Sequence, residues 1–454
     1  MLKELQIKNF KAWADSGKIR LAPLTIFCGN NSSGKSSIAQ FLLMLKQTVE
    51  SYDRQRVLHL GEKDSLVDLG TYKDMVFQHN EENRIEFSYT FDTNVKIVDA
   101  TSPNSGSTFS ELKFDAIISF EKKLNKIAVD NLNYTLINGK EISFGLSPKS
   151  GKYELKADNY IAKRQPGRAW QLPPPENFFG FPDEAIAYYQ NTSFLNDLSL
   201  SIKNLFKSIY YVGPLRDNPE RSYNFSGEIP PDVGVKGKWA INALLAAKGR
   251  NLQKEFKHKT EPFENVIARW LRDMGLIYDF KVTPIAAGRK EHEVKVKINK
   301  DSPEVLITDV GFGISQILPV LVQCFYVLPK STILFEQPEI HLHPSVQSHL
   351  GDLFIETIRS RENGKDREIQ VIVESHSEHL IRRIQRRIAE GIIEPNDVAI
   401  YFIHQEKGCA KLEELQINLF GDITNWPSDF FGNDIEDLAA MTRAAMDRKR
   451  KEKQ

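Results

Sequence analysis

The residues Gly29-Asn30-Asn31-Ser32-Ser33-Gly34-Lys35-Ser36 follow the pattern G-x-x-x-x-G-K-[ST]. Glycines at those two places let successive backbone N–H groups curl around phosphate oxygens. Lys35 can then reach the outer phosphates, and the Ser36 hydroxyl can bind Mg²⁺. A strand-like run, IRLAPLTIFC, leads into the loop, and IAQFLLMLKQTV, apolar at helical spacing, leads out of it. The helix that follows points its positive end at the same anion. A plain glycine-serine turn explains the loop but not both flanks, so a nucleotide phosphate site is the better reading.

Three further stretches carry chemistry. Ser331–Glu339 reads STILFEQPE, an apolar strand that ends in a carboxylate, Glu336, which suits a Mg²⁺–water ligand beside a phosphate loop. Alone this is a common strand end; together with the loop it gains meaning. Asp309–Gln316, DVGFGISQ, opens a helix with two glycines, Gly311 and Gly313, and so offers unobstructed amides to an anion, although an ordinary helix cap has the same look. In IVESHSE a strand ends near His376, which can hydrogen-bond a terminal phosphate; a lone histidine is more often structural.

The elements that must position these groups follow from periodicity. Strands are expected at 3–10, 19–28 and within 64–91, then a meander over 111–157, an irregular proline-rich passage at 163–184 and helices at 192–208, 238–256 and 260–274. The last third alternates helix from 313, strand 332–336, helix 345–360, strand 369–374, helix 376–390 and strand 397–403. That rhythm predicts a mostly parallel sheet and an α/β fold. The expected divisions are 1–95 (lobe with the phosphate loop), 96–204 (β-rich insertion), 205–300 (connecting segment), 301–440 (second lobe) and 441–454 (charged tail).

Composition narrows the classes. Of 454 residues 41% are hydrophobic and 26% charged, which is ordinary for a globular chain and excludes general disorder. Lysine plus arginine number 60 and acids number 60, so no global basic field attracts nucleic acid; local candidates are Lys163–Arg168, Arg382–Arg387 and 448–453. Those runs are more often merely solvated. Three cysteines, Cys28, Cys324 and Cys409, do not make a disulfide scaffold, which favours a cytoplasmic setting. No run of apolar residues is long enough to span a membrane.

The order and spacing of these motifs resemble the ABC-type ATPase heads of the SMC, RecF and OLD (overcoming lysogenisation defect) group. They are most similar to the small bacterial AAA-family ATPases of anti-phage defence, of the Septu, PARIS or retron-associated type. The resemblance covers residues 1–60, 205–240 and 300–440, including the NLFGDITNWPSDFFGNDIED stretch. It implies a mixed β lobe plus a parallel-sheet core, with ATP and Mg²⁺ as cofactors. It also implies a homodimer or higher oligomer closed around nucleotide, and a partner effector such as a nuclease. By position, Gly29 to Ser37 would hold the phosphates, Ser36 and Glu336 the metal, and His376 would be the switch histidine. Gly311 and Gly313, with Ser315, would present the signature loop to a second protomer, and Gln78 is the candidate for the glutamine that completes the metal site.

Two departures matter. Gly311 stands where the signature of such heads has serine. Gln337 stands where they have a catalytic glutamate, and a glutamine can orient water but cannot take its proton. Either Glu339 substitutes as the base or turnover is slow. The competing readings are a nucleotide-gated scaffold that never hydrolyses, a self-sufficient OLD-type nuclease or repair ATPase, and a transporter subunit. No D-x-D triplet follows residue 400, and the transporter-type signature is missing.

Overall fold

The computed structural model describes residues 1–98, 106–168, 171–255, 258–427, 440–446 and 448, with backbone alone at position 312. At its centre five parallel strands lie in the order Ile209–Val212, Thr332–Glu336, Gln370–Glu374, Leu24–Gly29 and Val398–Glu406, with Cys409–Glu414 antiparallel on the far edge. All six of the late strands and helices expected from periodicity fall where it placed them, within a few residues at their ends. Both faces of this sheet are covered, so its strands read as continuous apolar runs rather than alternating ones. Phe27, Leu334, Ile372, Tyr401 and Ile403 face one side, while Leu24, Ile26, Ile333, Phe335, Val371, Val373 and Ile400 face the other.

The two faces carry different helices. Lys35–Val49, the helix that follows the phosphate loop, packs Ile38, Phe41 and Leu42 on the first face. Phe312–Tyr326, Pro344–Arg359 and Glu378–Ala389 pack on the second. Arg367, wholly buried, donates to the carbonyls of Cys324 (3.1 Å), Phe325 (3.0 Å) and Val327 (2.6 Å) and so closes the C-terminus of the Phe312–Tyr326 helix.

An eight-stranded antiparallel sheet covers the phosphate-loop helix. Its path runs Trp13–Asp15, Leu2–Phe10, Ile85–Ile97, Ser107–Glu121, Lys126–Ile137, Glu141–Lys149 and Lys152–Asp158, and Ile19–Arg20 pairs beside Leu2–Phe10. Phe41 of the helix meets Phe10 and Phe87 of the sheet edge-on, at 5.2 and 5.1 Å between ring centres. Gln370 ties the two sheets at their junction: its side chain bonds the N–H (3.2 Å) and the carbonyl (2.8 Å) of Leu2.

Three local expectations differ from the structure. The boundary expected at 95/96 falls inside continuous pairing, since Val95–Ile97 is registered with Ser107–Phe109; the meander extends the first lobe's own sheet. Residues 72–79, expected as strand, form the short helix Tyr72–Met75 and the turn Phe77–His79, because the Asp74 carboxylate accepts from the N–H (2.8 Å) and hydroxyl (2.7 Å) of Thr71 and starts a helix there. The helix expected over 238–256 is only Ala240–Ala246. Gly249, at φ +94°, turns the chain into the strand Asn251–Gln253.

Candidate functional site

Gly29, Glu336 and Glu374 end three neighbouring parallel strands, and loops leaving those ends must converge on one edge, where open α/β sheets bind ligands. The phosphate loop begins with an unavoidable glycine. Gly29 has φ +135°, and a Cβ there would stand 1.9 Å from the carbonyl oxygen of Ile403. Gly34, at φ +102°, is the N-cap of the Lys35–Val49 helix, and its carbonyl accepts from the Trp13 indole at 3.2 Å. Asn30, Asn31 and Ser32 form the exposed rim, with Ser32 at φ +60° and its carbonyl bound by Gln405 at 2.8 Å. Ser33, Lys35 and Ser37 are buried, and the Ser33 hydroxyl has no partner.

Lys35 folds its ammonium into the loop, donating to the carbonyls of Gly29 (3.0 Å) and Asn30 (2.5 Å). Partial burial lowers its pKa, and Glu374 opposes that lowering. The Ser36 hydroxyl donates to Glu374 Oε1 at 2.9 Å, and Glu374 Oε2 is buried without a partner. Glu336, directly opposite Glu374 in register, accepts from the Tyr211 hydroxyl at 3.0 Å. Burial raises the Glu336 pKa, while burial and then the Glu336 charge push Glu374 up to about 7. Two half-desolvated carboxylates beside a serine hydroxyl fit a hard divalent cation, which takes oxygen ligands. Among the described residues no group of three or more His, Cys, Asp or Glu side chains forms a metal cage, so Mg²⁺ here would rely on Ser36, Glu336 and Glu374 together with phosphate and water oxygens.

Beyond Glu336 the chain turns sharply. Gln337 has φ +43°, and its N–H donates to the Glu374 carbonyl at 2.8 Å. Glu339 is buried; its Oε1 accepts from the His376 N–H at 2.7 Å and its Oε2 has no partner. Burial raises its pKa, against which the His376 N–H works. The His376 ring is exposed at the same edge, and partial desolvation together with Lys35 holds its pKa below the usual imidazole value. Lys35, Ser36, Glu336, Glu339 and His376 thus lie together at one edge of the sheet.

The remaining candidates stand apart. Gly311 and Gly313 begin the Phe312–Tyr326 helix on the opposite face of the sheet from the phosphate-loop helix, and a side chain at either would meet nothing within 4 Å. Ser315 is buried. Gln78 is exposed in the Phe77–His79 turn at φ +54° and makes no hydrogen bond with Ser36, Glu336 or Glu374. The arginines on the Glu378–Ala389 helix are all paired: Arg383 and Arg387 share Asp352 at 2.6 Å, Arg386 meets Glu390 at 2.7 Å and Arg382 meets Glu378 at 3.2 Å. Most of the 448–453 run lies outside the described residues.

Sequence reasoning gave no role to Glu374, Tyr211 or Arg216. Glu374 had a signal, because IQVIVE repeats the apolar-strand-then-acid pattern of STILFE. Tyr211 and Arg216 had none beyond their place at the end of a short strand.

Fold and site together define an α/β phosphate-loop protein whose candidate site lies at the carboxyl edge of its parallel sheet. The chain belongs to the family described as "AAA domain, putative AbiEii toxin, Type IV TA system", whose model matches residues 24–382. It is therefore an AAA-type ATPase by family. Residues 393–441 match a second family, described as a protein of unknown function (DUF3696). A Helicobacter pylori protein called "ATP/GTP phosphatase" is 22% identical over 447 residues, covering 96% of this chain and 97% of its own. The SMC head bound to the C-winged helix domain of ScpA aligns at 13% identity over 92% of this chain and 98% of that one, with a TM-score of 0.45. The SMC head domain from Thermotoga maritima aligns at 12% identity over 92% and 99%, with a TM-score of 0.39. No helix among the described residues is long and apolar enough to cross a membrane.

Proposed function

We propose that this chain is an ABC-type head that binds ATP with Mg²⁺, dimerises around it, hydrolyses it slowly and thereby controls a separate effector, a nuclease, in anti-phage defence. The observation that carries the reading is a separation. Lys35, Ser36, Glu336 and Glu374 meet at one edge of the sheet, while the open Gly311–Gly313 backbone sits on a helix packed against the other face. A glycine-opened helix N-terminus aimed at solvent suits a phosphate brought by a second copy.

The residues divide the work. Loop amides and Lys35 bind the phosphates, since an ammonium offsets charge that backbone dipoles leave uncompensated. Ser36, Glu336 and Glu374 would hold Mg²⁺, which supplies charge neutralisation at the phosphates when bound. Tyr211 fixes the Glu336 carboxylate. Glu339, acidic and next to the strand end, takes the proton from the attacking water, a step closed to Gln337. His376 presents its imidazole to the terminal phosphate. Turnover is slow because Gln337 cannot take the proton and Glu339 stands two residues beyond the usual place of the base.

The name of the Helicobacter pylori relative supports hydrolysis. Gln337 favours the second reading, a nucleotide-gated scaffold without turnover. Mass measurement of the purified chain with ATP and with ADP, alongside phosphate release, tests both: dimers with ATP and slow release support the first, ATP dimers without release the second, and a monomer throughout neither.

A further inference from the structure

Arg216 is buried, 7% exposed, and among the described residues none of its three guanidinium nitrogens has a hydrogen-bond partner. A buried guanidinium with every donor unmet is costly, and native chains rarely keep one without a use. It follows the first strand of the central sheet. Ile209 pairs with Thr332 and Val212 with Phe335, and Arg216 and Glu339 each stand four residues beyond that last pair, one on each chain segment. Glu339 is buried to the same degree, and its Oε2 is also without a partner. A cation and an anion, each incomplete, thus lie in the loops that leave the same end of two adjacent parallel strands. The Arg216 charge favours the ionised form of Glu339, and the Glu339 charge in turn opposes the fall that burial imposes on Arg216.

We propose that Arg216 is the positioning residue for Glu339: with nucleotide seated, its guanidinium binds the free carboxylate oxygen and fixes the carboxylate towards the attacking water. A carboxylate has about four acceptor sites, so bonds from the His376 N–H and Arg216 leave lone pairs for the water proton. The planar guanidinium suits this better than an ammonium because it can hold a carboxylate in one orientation. The inference rests on the reading of Glu339 as the base.

The test is a double-mutant cycle on the full chain, reading ATP turnover, KM and melting temperature for Arg216→Met, Arg216→Lys, Glu339→Gln and Arg216→Met with Glu339→Gln. Arg216→Met is expected to lower kcat about tenfold or more with KM changed less than about threefold, and Arg216→Lys to regain part of the loss. In the Glu339→Gln background Arg216→Met should cost nothing further. With ATP and Mg²⁺ bound, melting temperature should fall in Arg216→Met and recover in the double variant, because the carboxylate stranded by the loss of Arg216 is then gone. Unchanged kcat in Arg216→Met, an equal loss in both backgrounds, or a rise in KM alone would overturn the inference, the last assigning Arg216 to phosphate instead. If Glu339→Gln keeps full turnover, the reading of Glu339 as base fails separately. The melting temperatures then decide whether the pair exists, and additive shifts refute it.

Discussion

The Ser36 hydroxyl donates to Glu374 Oε1 at 2.9 Å across 338 residues of sequence, joining the phosphate loop to the end of a strand from the far part of the chain. Glu374 is the group most altered by this junction, with its pKa raised to about 7 first by burial and then by Glu336. A carboxyl that holds its proton more tightly folded than unfolded gives the folded state the extra proton between the two pKa values. Stability therefore falls as pH rises through that window and recovers as pH drops. The melting temperature of the nucleotide-free protein is expected to rise between about pH 8 and about pH 6, relative to Glu374→Gln, in which the site cannot titrate. Mg²⁺-dependent ATP binding should move the opposite way and weaken at the lower pH, since a protonated Glu374 is a poor ligand. A constant difference between the two proteins across the window would contradict the assignment.

Lys35→Ala should fold normally. The carbonyls it now bonds belong to the loop's own Gly29 and Asn30, at the rim of the chain, where water can replace the ammonium. Nucleotide affinity should fall about 10- to 100-fold, as expected for a lost charge-assisted contact worth about 1.5–3 kcal/mol. Calorimetric titration with ATP checks it, and unchanged affinity in a folded variant would remove the phosphate-loop assignment.

The legible parts of the sequence were those where local pattern and final environment coincide. STILFE and IQVIVE read as strands because both faces of the central sheet are covered, so every position wants an apolar residue. The phosphate loop was legible because Gly29 has no substitute where Ile403 presses on it. Tyr72–Met75 was misread because a capping contact from Asp74 outweighed the strand-like spacing around it. The pairing of the Arg382–Arg387 run with Asp352 and its neighbours could not be read either, since Asp352 lies on another helix. Nor could Arg216, whose meaning depends on the register between Ile209–Val212 and Thr332–Glu336.

Gly313→Arg offers a clean probe of association. A Cβ at Gly313 meets nothing within 4 Å, so the substitution has room in a single copy and should leave its melting temperature nearly unchanged. It places a long side chain where a second copy's nucleotide would approach. ATP binding by each copy should persist while ATP-driven dimers and turnover are lost, a combination that light scattering and phosphate release together detect. Retained dimers would refute the role given to this helix end.

Arg367→Met tests what holds that helix in place. Its loss leaves the carbonyls of Cys324, Phe325 and Val327 buried and without their cation. The expected cost is about 2–4 kcal/mol, seen as a lower denaturant midpoint with an unchanged slope. A variant as stable as the parent would mean that water or other donors reach these carbonyls.

The choice between Gln337 and Glu339 is the sharpest one the site presents. Gln337 follows Glu336 directly, but its backbone sits at φ +43° and its N–H is spent on the Glu374 carbonyl. Glu339 ends the same turn with one oxygen held by the His376 N–H and the other without a partner among the described residues. Pro338 stiffens the link between them, so the two side chains cannot exchange places by a small backbone shift. If Glu339 is the base, Glu339→Gln lowers turnover by about 10²- to 10⁴-fold, the usual contribution of such a group, while Gln337→Glu changes little. If the position after Glu336 is where the water waits, Gln337→Glu accelerates a slow native enzyme instead. Glu336→Gln separates itself from both, because loss of a metal ligand should weaken Mg²⁺-dependent binding along with turnover. Single-turnover phosphate release at saturating ATP reads all three variants on one scale. The buried, half-satisfied carboxylate of Glu339 favours the first outcome, and rapid turnover that survives Glu339→Gln would move the chemistry to another residue.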